Sequence, residues 1–466
     1  MARVIQVASI SPSTTFQNMI INTAKFYLLI SFAYFVKVPI AYLNFYAEDG
    51  MIFFQEANDM PFPLDLLKPT GGYLILVSKI IGRLLTLFPI EILPFVNFIF
   101  VCISIAFICA VTWSNLSNLI FNNYLKLICC CSIIFLPILN FELMASSCSL
   151  HFLLIFPTVL ILINLRNKES IKNIDVFILV MTFLSDPLSI MCIAILVKPE
   201  NLRNYKFIYH KHRNIYIVIF ISAAIQCLYV IYSFKTGVRG ILNSGSFVKT
   251  VYLYLDRVVG SSLIPNWGFV NSNDVASGVF NEKIIMRGSI ALIIIFGLFF
   301  FTLQLYRKIR NDKMAIYQPM ESIIILFIIS TSYWLFAGYL FNPEPRYAIF
   351  PSICLITIIL MLFDFFIKEK FSKKILGFSF QKCGVLFISG LLISTWMFSI
   401  KPSSLRTEGP TWESELISAR NLCKNQDQKF AKLRILPITA NWFVTLECVK
   451  LISSRAEVDP ENGAAV

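Results

Sequence analysis

Long apolar runs separated by short polar connections set the pattern of this chain. The runs fall at about 26–46, 92–113, 125–140, 151–165, 174–185, 187–197, 214–233, 285–304, 322–341, 347–367 and 384–400. A helix needs about 20 apolar residues to cross a bilayer, so they predict about eleven transmembrane helices, some short or broken. The pair within 174–197 must go out and come back in a short length. Its turn, Ser185-Asp186-Pro187, is therefore expected at or inside one membrane face. The segment from Gly71 to Phe88 is also apolar, but Lys79 and Arg83 stand four apart, on one helical face. That spacing predicts an amphipathic helix lying in the outer interface rather than a span.

Composition supports a polytopic all-α membrane protein: of 466 residues, 57% are hydrophobic and 14% charged. The net charge of +13 would suggest nucleic acid in a soluble protein. Here it gathers in short connections, at Arg166 to Lys172, Lys198 to Arg213, Arg307 to Lys313 and Lys368 to Lys374. Cytoplasmic loops collect Lys and Arg, so all four are expected on that side, with the N-terminus, and no nucleic-acid role follows. A first loop (47–91), the 141–150 connection, a long loop (234–284), 342–346 and the tail then face outward. The expected division is a membrane domain over 1–400 and a small α/β cap over 401–466, with a helix from Trp412 and strands near Leu433 and Trp442. Most cysteines sit in apolar runs and read as small hydrophobes. Cys423 and Cys448 lie in the tail, and can pair if that side is oxidising.

Polar residues on the outward side gather in four places. Glu48 and Asp49 are adjacent carboxylates where the first apolar run gives out. Asn140 and Glu142 precede His151 across a short connection. Asp186 precedes Pro187, and Arg346-Tyr347 follows Pro345. Each has a plain structural reading beside a functional one. Glu142 can cap a helix, His151 can be a hydrogen-bonded rim residue, Asp186 can serve its own turn, and Arg346 can reach for the interface. Lys37, inside the first run, either marks a lipid-phosphate path or marks where the span ends, since a charge at the bilayer centre costs about 3 kcal/mol. Glycosyl transfer from a lipid-phosphate sugar needs a carboxylate to take the acceptor proton and a cation for the departing phosphate. Glu48 or Asp49 suits the first role, Asp49 slightly better if Gly50 leaves it room. Arg346 suits the second, because its planar fork matches phosphate oxygens. No Walker A, GxGxxG or GxSxG motif is present, and His210 and His212 offer no metal geometry.

Several of these motifs resemble those of GT-C-type bacterial membrane glycosyltransferases. They are Tyr46-Ala-Glu-Asp-Gly50, the Asn140-x-Glu142 to His151 connection, Leu184-Ser-Asp-Pro-Leu-Ser189, Pro345-Arg-Tyr347 with Pro351, and Gly409-Pro-Thr-Trp-Glu-Ser-Glu415 with the tail cysteines. Within that class the chain is most similar to phage-encoded glucosyltransferases that modify O-antigen and convert serotype. The resemblance implies a GT-C-like fold with interfacial helices on the outer face. It also implies undecaprenyl-phosphate-glucose as donor and lipid-linked O-antigen as acceptor, at the periplasmic face of the bacterial inner membrane. Companions would be a donor-synthesising glucosyltransferase and a flippase. By position, Glu48 and Asp49 would be catalytic and Arg346 would meet the donor phosphate; the remaining candidates are Tyr347 and Lys37 for the phosphate and Asn140, Glu142, His151 and Asp186 for the sugars. No Asp-x-Asp accompanies the acidic pair, so no metal or other cofactor is expected. The competing readings are a flippase or transporter for a lipid-linked saccharide, and an O-antigen polymerase or ligase.

Overall fold

The computed structural model describes residues 12–38, 40–140, 145–167, 169–197, 205–237, 247–264, 282–311, 317–341, 345–370, 389–397, 409–425, 428–437 and 441–456. The fold is 79% helical. Helix α1 (Pro12–Lys37) leads through an irregular stretch to a π-helix (Asp49–Phe54) and three short helices, α2 (Gln55–Asp59), α3 (Leu64–Leu67) and α4 (Leu76–Leu85). Then come α5 (Leu93–Leu116), α6 (Asn123–Phe135), α7 (Leu150–Arg166), α8 (Asn173–Phe183) and a 3-10 helix (Pro187–Leu196). Helices α9 (Tyr205–Lys235) and α10 (Phe247–Tyr254) follow, α10 running into a second π-helix (Leu255–Gly260). The membrane part closes with α11 (Glu282–Asn311), α12 (Tyr317–Phe341), a 3-10 turn (Pro345–Ala348) and α13 (Ile349–Lys370). The C-terminal unit is α14 (Trp412–Asn425), β1 (Phe430–Arg434), β2 (Phe443–Glu447) and α15 (Cys448–Ala456).

Among the described residues, six stretches are long and apolar enough to cross a membrane: Ile90–Leu116, Ser147–Arg166, His212–Lys235, Met286–Gln304, Pro319–Gly338 and Pro345–Phe365. The chain is a multi-pass membrane protein. Four further apolar helices, Ile20–Tyr34, Asn123–Leu139, Asn173–Phe183 and Pro187–Leu196, are shorter. Of the predicted run 384–400, only 389–397 is described, as helix.

Helix α7 is the axis of the bundle, packed by α5, α8, α13 and the 3-10 helix Pro187–Leu196. Its spanning window is 94% buried in protein, whereas that of Met286–Gln304 in α11 is 6% buried, at nearly the same hydropathy (2.2 and 2.1). A helix apolar all round can face protein or lipid equally well, so composition does not separate the two.

Three expectations are corrected. The first helix stops at Lys37, well short of the expected 46. Beyond it the backbone makes local turns and also bonds to the tail: Leu436 N donates to Phe45 O (3.1 Å) and Trp412 N to Leu43 O (2.8 Å). Helix α4 does not offer its cations to headgroups. Lys79 is 2% exposed, pairs with Glu56 (2.5 Å) and donates to Asp65 O, while Arg83 pairs with Asp65 (2.9 Å). The first loop's own acids attract these cations inward, because a buried charge needs a partner. Residues 247–263, expected in a long outward loop, are helical and packed against α11, α12 and α13. The Trp334 indole donates to Thr250 O (2.8 Å), and Leu253, Val258 and Val259 are fully buried.

In the cap, β1 and β2 are antiparallel, Phe430 opposite Glu447. Ala431 and Leu433 alternate inward with Val444 and Leu446. Cys423 on α14 and Cys448 on α15 are joined as a disulfide (Cα–Cα 5.4 Å). The cap sits on the start of the chain. Trp412 donates from its indole to Ile90 O (2.7 Å) and meets Phe45 edge-on at 5.2 Å. The Gln55 amide pairs with both backbone groups of Thr445 (2.9 and 2.7 Å).

Candidate functional site

The Tyr46–Gly50 stretch is fixed from two sides. Tyr46 bridges to Leu436, and Ala47 N donates to Leu436 O (2.5 Å). Ala47 has φ of 46°, a left-handed conformation costing a non-glycine residue roughly 1–2 kcal/mol. The cap's backbone bonds hold it there. Directly after it, Asp49 opens a π-helix, an irregularity frequent at functional sites.

The two adjacent carboxylates differ sharply. Asp49 is 1% exposed. Its Oδ1 accepts from Ser146 Oγ (3.0 Å), Ser147 Oγ (2.8 Å) and Cys148 N (3.1 Å). Its Oδ2 accepts from Ser147 N (3.2 Å) and Asn97 Nδ2 (3.3 Å). An ionised carboxylate has about four lone-pair sites, and these donors occupy them. Asp49 thus ties the 146–148 segment to α5 and to the π-helix. Gly50 gives it no room: a Cβ there would lie 2.9 Å from Ile435 Cδ1 and 2.9 Å from Phe45 Cβ. The glycine lets the cap approach. Glu48 is only half-buried, and its charge and that of Arg346 both act on the Cys148 thiol.

His151 stands at the start of α7, 1% exposed. Neither ring nitrogen has a hydrogen-bond partner among the described residues; the Cys148 backbone is close, but without hydrogen-bond alignment. Its Nε2 lies 3.9 Å from Asp186 Oδ2, too far for a hydrogen bond. Asp186 also serves its own turn, as Oδ1 caps the 3-10 helix by accepting from Leu188 N (2.7 Å) and Ser189 N (3.2 Å). Its Oδ2 faces the Tyr333 hydroxyl at 3.5 Å. Arg346 stacks over Tyr347, 5.8 Å from the ring centre, and Tyr347 packs edge-on against Phe152 (5.5 Å). The Arg346 charge reaches His151, Cys148 and Tyr73.

Tyr73 was not singled out from the sequence. The turn before it has Gly71 and Gly72 at φ of 57° and 90°, values that need glycine, and Thr70 and Tyr73 bridge across it. Gln226 clamps the next residue, accepting from Leu74 N (3.2 Å) and donating to Leu74 O (3.1 Å). This delivers the Tyr73 ring to 6.4 Å from that of His151. Burial, then the nearby Tyr347 and Asp186, push the Tyr73 phenol well above its ordinary value, against the pull of Arg346. Two adjacent glycines before an aromatic residue were the available signal. Tyr333 and the Ser146-Ser147 pair were missed too, and carry no local motif.

Glu48, Asp49, His151, Asp186, Arg346 and Tyr347 therefore meet at one end of the bundle, around Cys148. Glu142 lies outside the described residues, as do the side chains of Asn140 and Lys37; Asn140 ends a 3-10 turn (Pro137–Asn140) and Lys37 ends α1. Cys423 and Cys448 belong to the cap. Among the described residues no group of His, Cys, Asp and Glu could hold a metal ion. A half-buried carboxylate, a cation and neutral donors in one place can take a proton and stabilise an anion. The chain matches no protein-family model and no characterised protein.

Proposed function

We propose that the protein is a membrane glycosyltransferase that uses a lipid-phosphate sugar. The observation that carries the reading is the meeting of Glu48, His151, Asp186 and Arg346 around Cys148, from four separate parts of the chain. Glu48 takes the proton of an acceptor hydroxyl as that oxygen bonds to the anomeric carbon. The bond from that carbon to the phosphate oxygen breaks, and the lipid monophosphate leaves with its charge facing Arg346. Asp49 holds the 146–148 segment in place, which reverses the order of preference drawn from sequence. His151, Asp186 and Tyr347 line the sugar side.

The finer reading rests on the motif resemblance. In it, glucose moves from undecaprenyl phosphate to lipid-linked O-antigen at the periplasmic face of the inner membrane, and the chain has about eleven spans. The test is transfer by purified protein from a polyprenyl-phosphate sugar, with serotype typing of expressing cells. Glu48→Gln should abolish transfer with normal insertion. Full activity in Glu48→Gln, Asp49→Asn and the double variant would sink the proposal. Altered chain length without added side-chain sugar would favour a polymerase.

A further inference from the structure

Opposite the site, a groove of about 340 Å³ lies between the 3-10 helix Pro187–Leu196 and α12. Ala194 and Ile195 form one wall, and Ile325, Ile328 and Ile329 of α12 form the other. Its far end is closed by Arg166 and Glu321, which are ion-paired. We infer that this groove holds part of the polyprenyl chain of the lipid-phosphate donor, an inference that rests on the glycosyl-transfer reading above.

The placement follows from three elements running side by side. Helix α7 carries His151 at one end and Arg166 at the other, about 22 Å apart at 1.5 Å per residue. On α12, Tyr333 and Glu321 are about 18 Å apart by the same rise. The 3-10 helix separates Asp186 from Ile195 by about 18 Å at 2.0 Å per residue. Their near ends meet, since Tyr333 Oη faces Asp186 and Asp186 faces His151. Their far ends meet too, since Arg166 donates to Ile195 O (2.7 Å) and Val197 O (2.8 Å) and pairs with Glu321. The groove therefore lies along the same three elements as the site, toward their far ends. It stops one helical turn short of Tyr333, whose ring meets Phe350 edge-on at 5.2 Å, just past Arg346 and Tyr347.

The chemistry of the two ends selects a chain whose phosphate lies at the near end. Arg166 is charge-matched by Glu321 and engaged by two carbonyls, so the pair that closes the groove carries no net charge for a phospholipid headgroup. The near end has Arg346. Between them the walls are mainly isoleucine, giving apolar burial without polar groups to satisfy. An isoprenoid tail fits that sequence of environments: phosphate at the site, hydrocarbon in the groove, no anion at the far end.

The experiment uses full-length protein in nanodiscs with a polyprenyl phosphate carrying a photoreactive group in its tail. Crosslinks are expected within Ala194–Ile195 and Met320–Ile329, competed by unlabelled polyprenyl phosphate but not by phosphatidylglycerol. Ile325→Trp and Ala194→Phe, each filling the groove, should lower crosslinking at least tenfold. They should also raise KM for a long-chain donor at least tenfold while leaving a donor with two isoprene units unchanged. Ile290→Trp, on the lipid-facing side of α11, controls for a bulky residue in the membrane. Equal competition by phosphatidylglycerol, crosslinks elsewhere, or unchanged chain-length dependence in both filled variants overturns the inference. The two readings separate cleanly. Groove crosslinks without any sugar transfer sink the enzymatic reading alone, and transfer lost in Glu48→Gln without groove crosslinks sinks only the groove.

Discussion

Replacing Asp49 by Asn tests whether the buried carboxylate is structural. The change keeps size and removes charge, and its consequence can be worked through donor by donor. If the remaining oxygen stays with Ser146 Oγ, Ser147 Oγ and Cys148 N, the new amide nitrogen faces Ser147 N and Asn97 Nδ2. Asn97 can repair its contact by turning its amide, because its Oδ1 has no partner among the described residues. Ser147 N cannot turn and is left buried and unsatisfied, at about 1–3 kcal/mol. Three bonds fall from charge-assisted to neutral strength, roughly 0.5–1 kcal/mol each. The expected loss is about 2.5–6 kcal/mol in the hold on the 146–148 segment. Two measurements follow it: the thermal midpoint in detergent, and the rate of maleimide labelling at Cys148, with Cys148→Ser as background. Asp49→Asn should lower the midpoint and speed labelling at least tenfold, whereas Glu48→Gln should leave the midpoint unchanged and lose transfer. An Asp49→Asn protein with wild-type midpoint and labelling but no transfer would refute the assignment and return the base role to Asp49.

Gly82→Ala should misfold or lose most of its stability. The added Cβ would lie 2.4 Å from Phe53 O and 2.6 Å from Phe53 C, so α4 and the π-helix would have to separate; expression and monodispersity report it. Cys448→Ser should loosen the cap by about 3 kcal/mol on the chain-entropy account for a closed loop of this size, as its partner Cys423 is 25 residues away. Limited proteolysis should then cut the 410–456 region faster, and transfer should fall because the cap's backbone holds Phe45 and Ala47. Tyr73 has a raised folded-state value, so its contribution is fully present below the unfolded value of about 10 and is lost as pH rises above it. The stability gap between wild type and Tyr73→Phe should be constant from pH 6 to 9 and narrow above pH 10 in alkaline unfolding; a gap that closes near pH 7 would contradict it.

How much of this was legible in the sequence depended on the range of the interaction concerned. Six candidate spans stand out among the described residues because a bilayer imposes a length on any single apolar run, and the runs near 92–113, 151–165 and 347–367 coincide with helices long and apolar enough to cross. The shorter runs, 174–185 and 187–197, were readable as a broken pair because Pro187 cannot continue a helix. What the run beginning at Phe26 could not show was where helix ends. Its last part is as apolar as its first, but residues 43–47 bond to Trp412 and Leu436, nearly 400 positions away. No local period carries that information. The pattern at Lys79 and Arg83 was read correctly as one face of a helix, but which surface that face meets depended on Glu56 and Asp65.

The acidic pair shows the limit most directly. Glu48 and Asp49 are neighbours with the same charge, and composition treats them alike. In the structure a half turn of backbone separates a carboxylate held by the Ser146–Cys148 segment and Asn97 from one left half-exposed beside that segment. The separation is set by Ala47, forced to positive φ, and by the π-helix that begins at Asp49, both pinned by the cap. A sequence motif can therefore mark the place where chemistry is concentrated, but the division of labour inside it comes from the tail. That dependence has a physical consequence: a substitution in the cap that weakens the Leu436 bridge to Tyr46 should alter both carboxylates together, Asp49 through lost donors and Glu48 through lost position. Substitutions at Arg346 should spare Asp49, and its hold on Cys148 should then stay at wild-type strength.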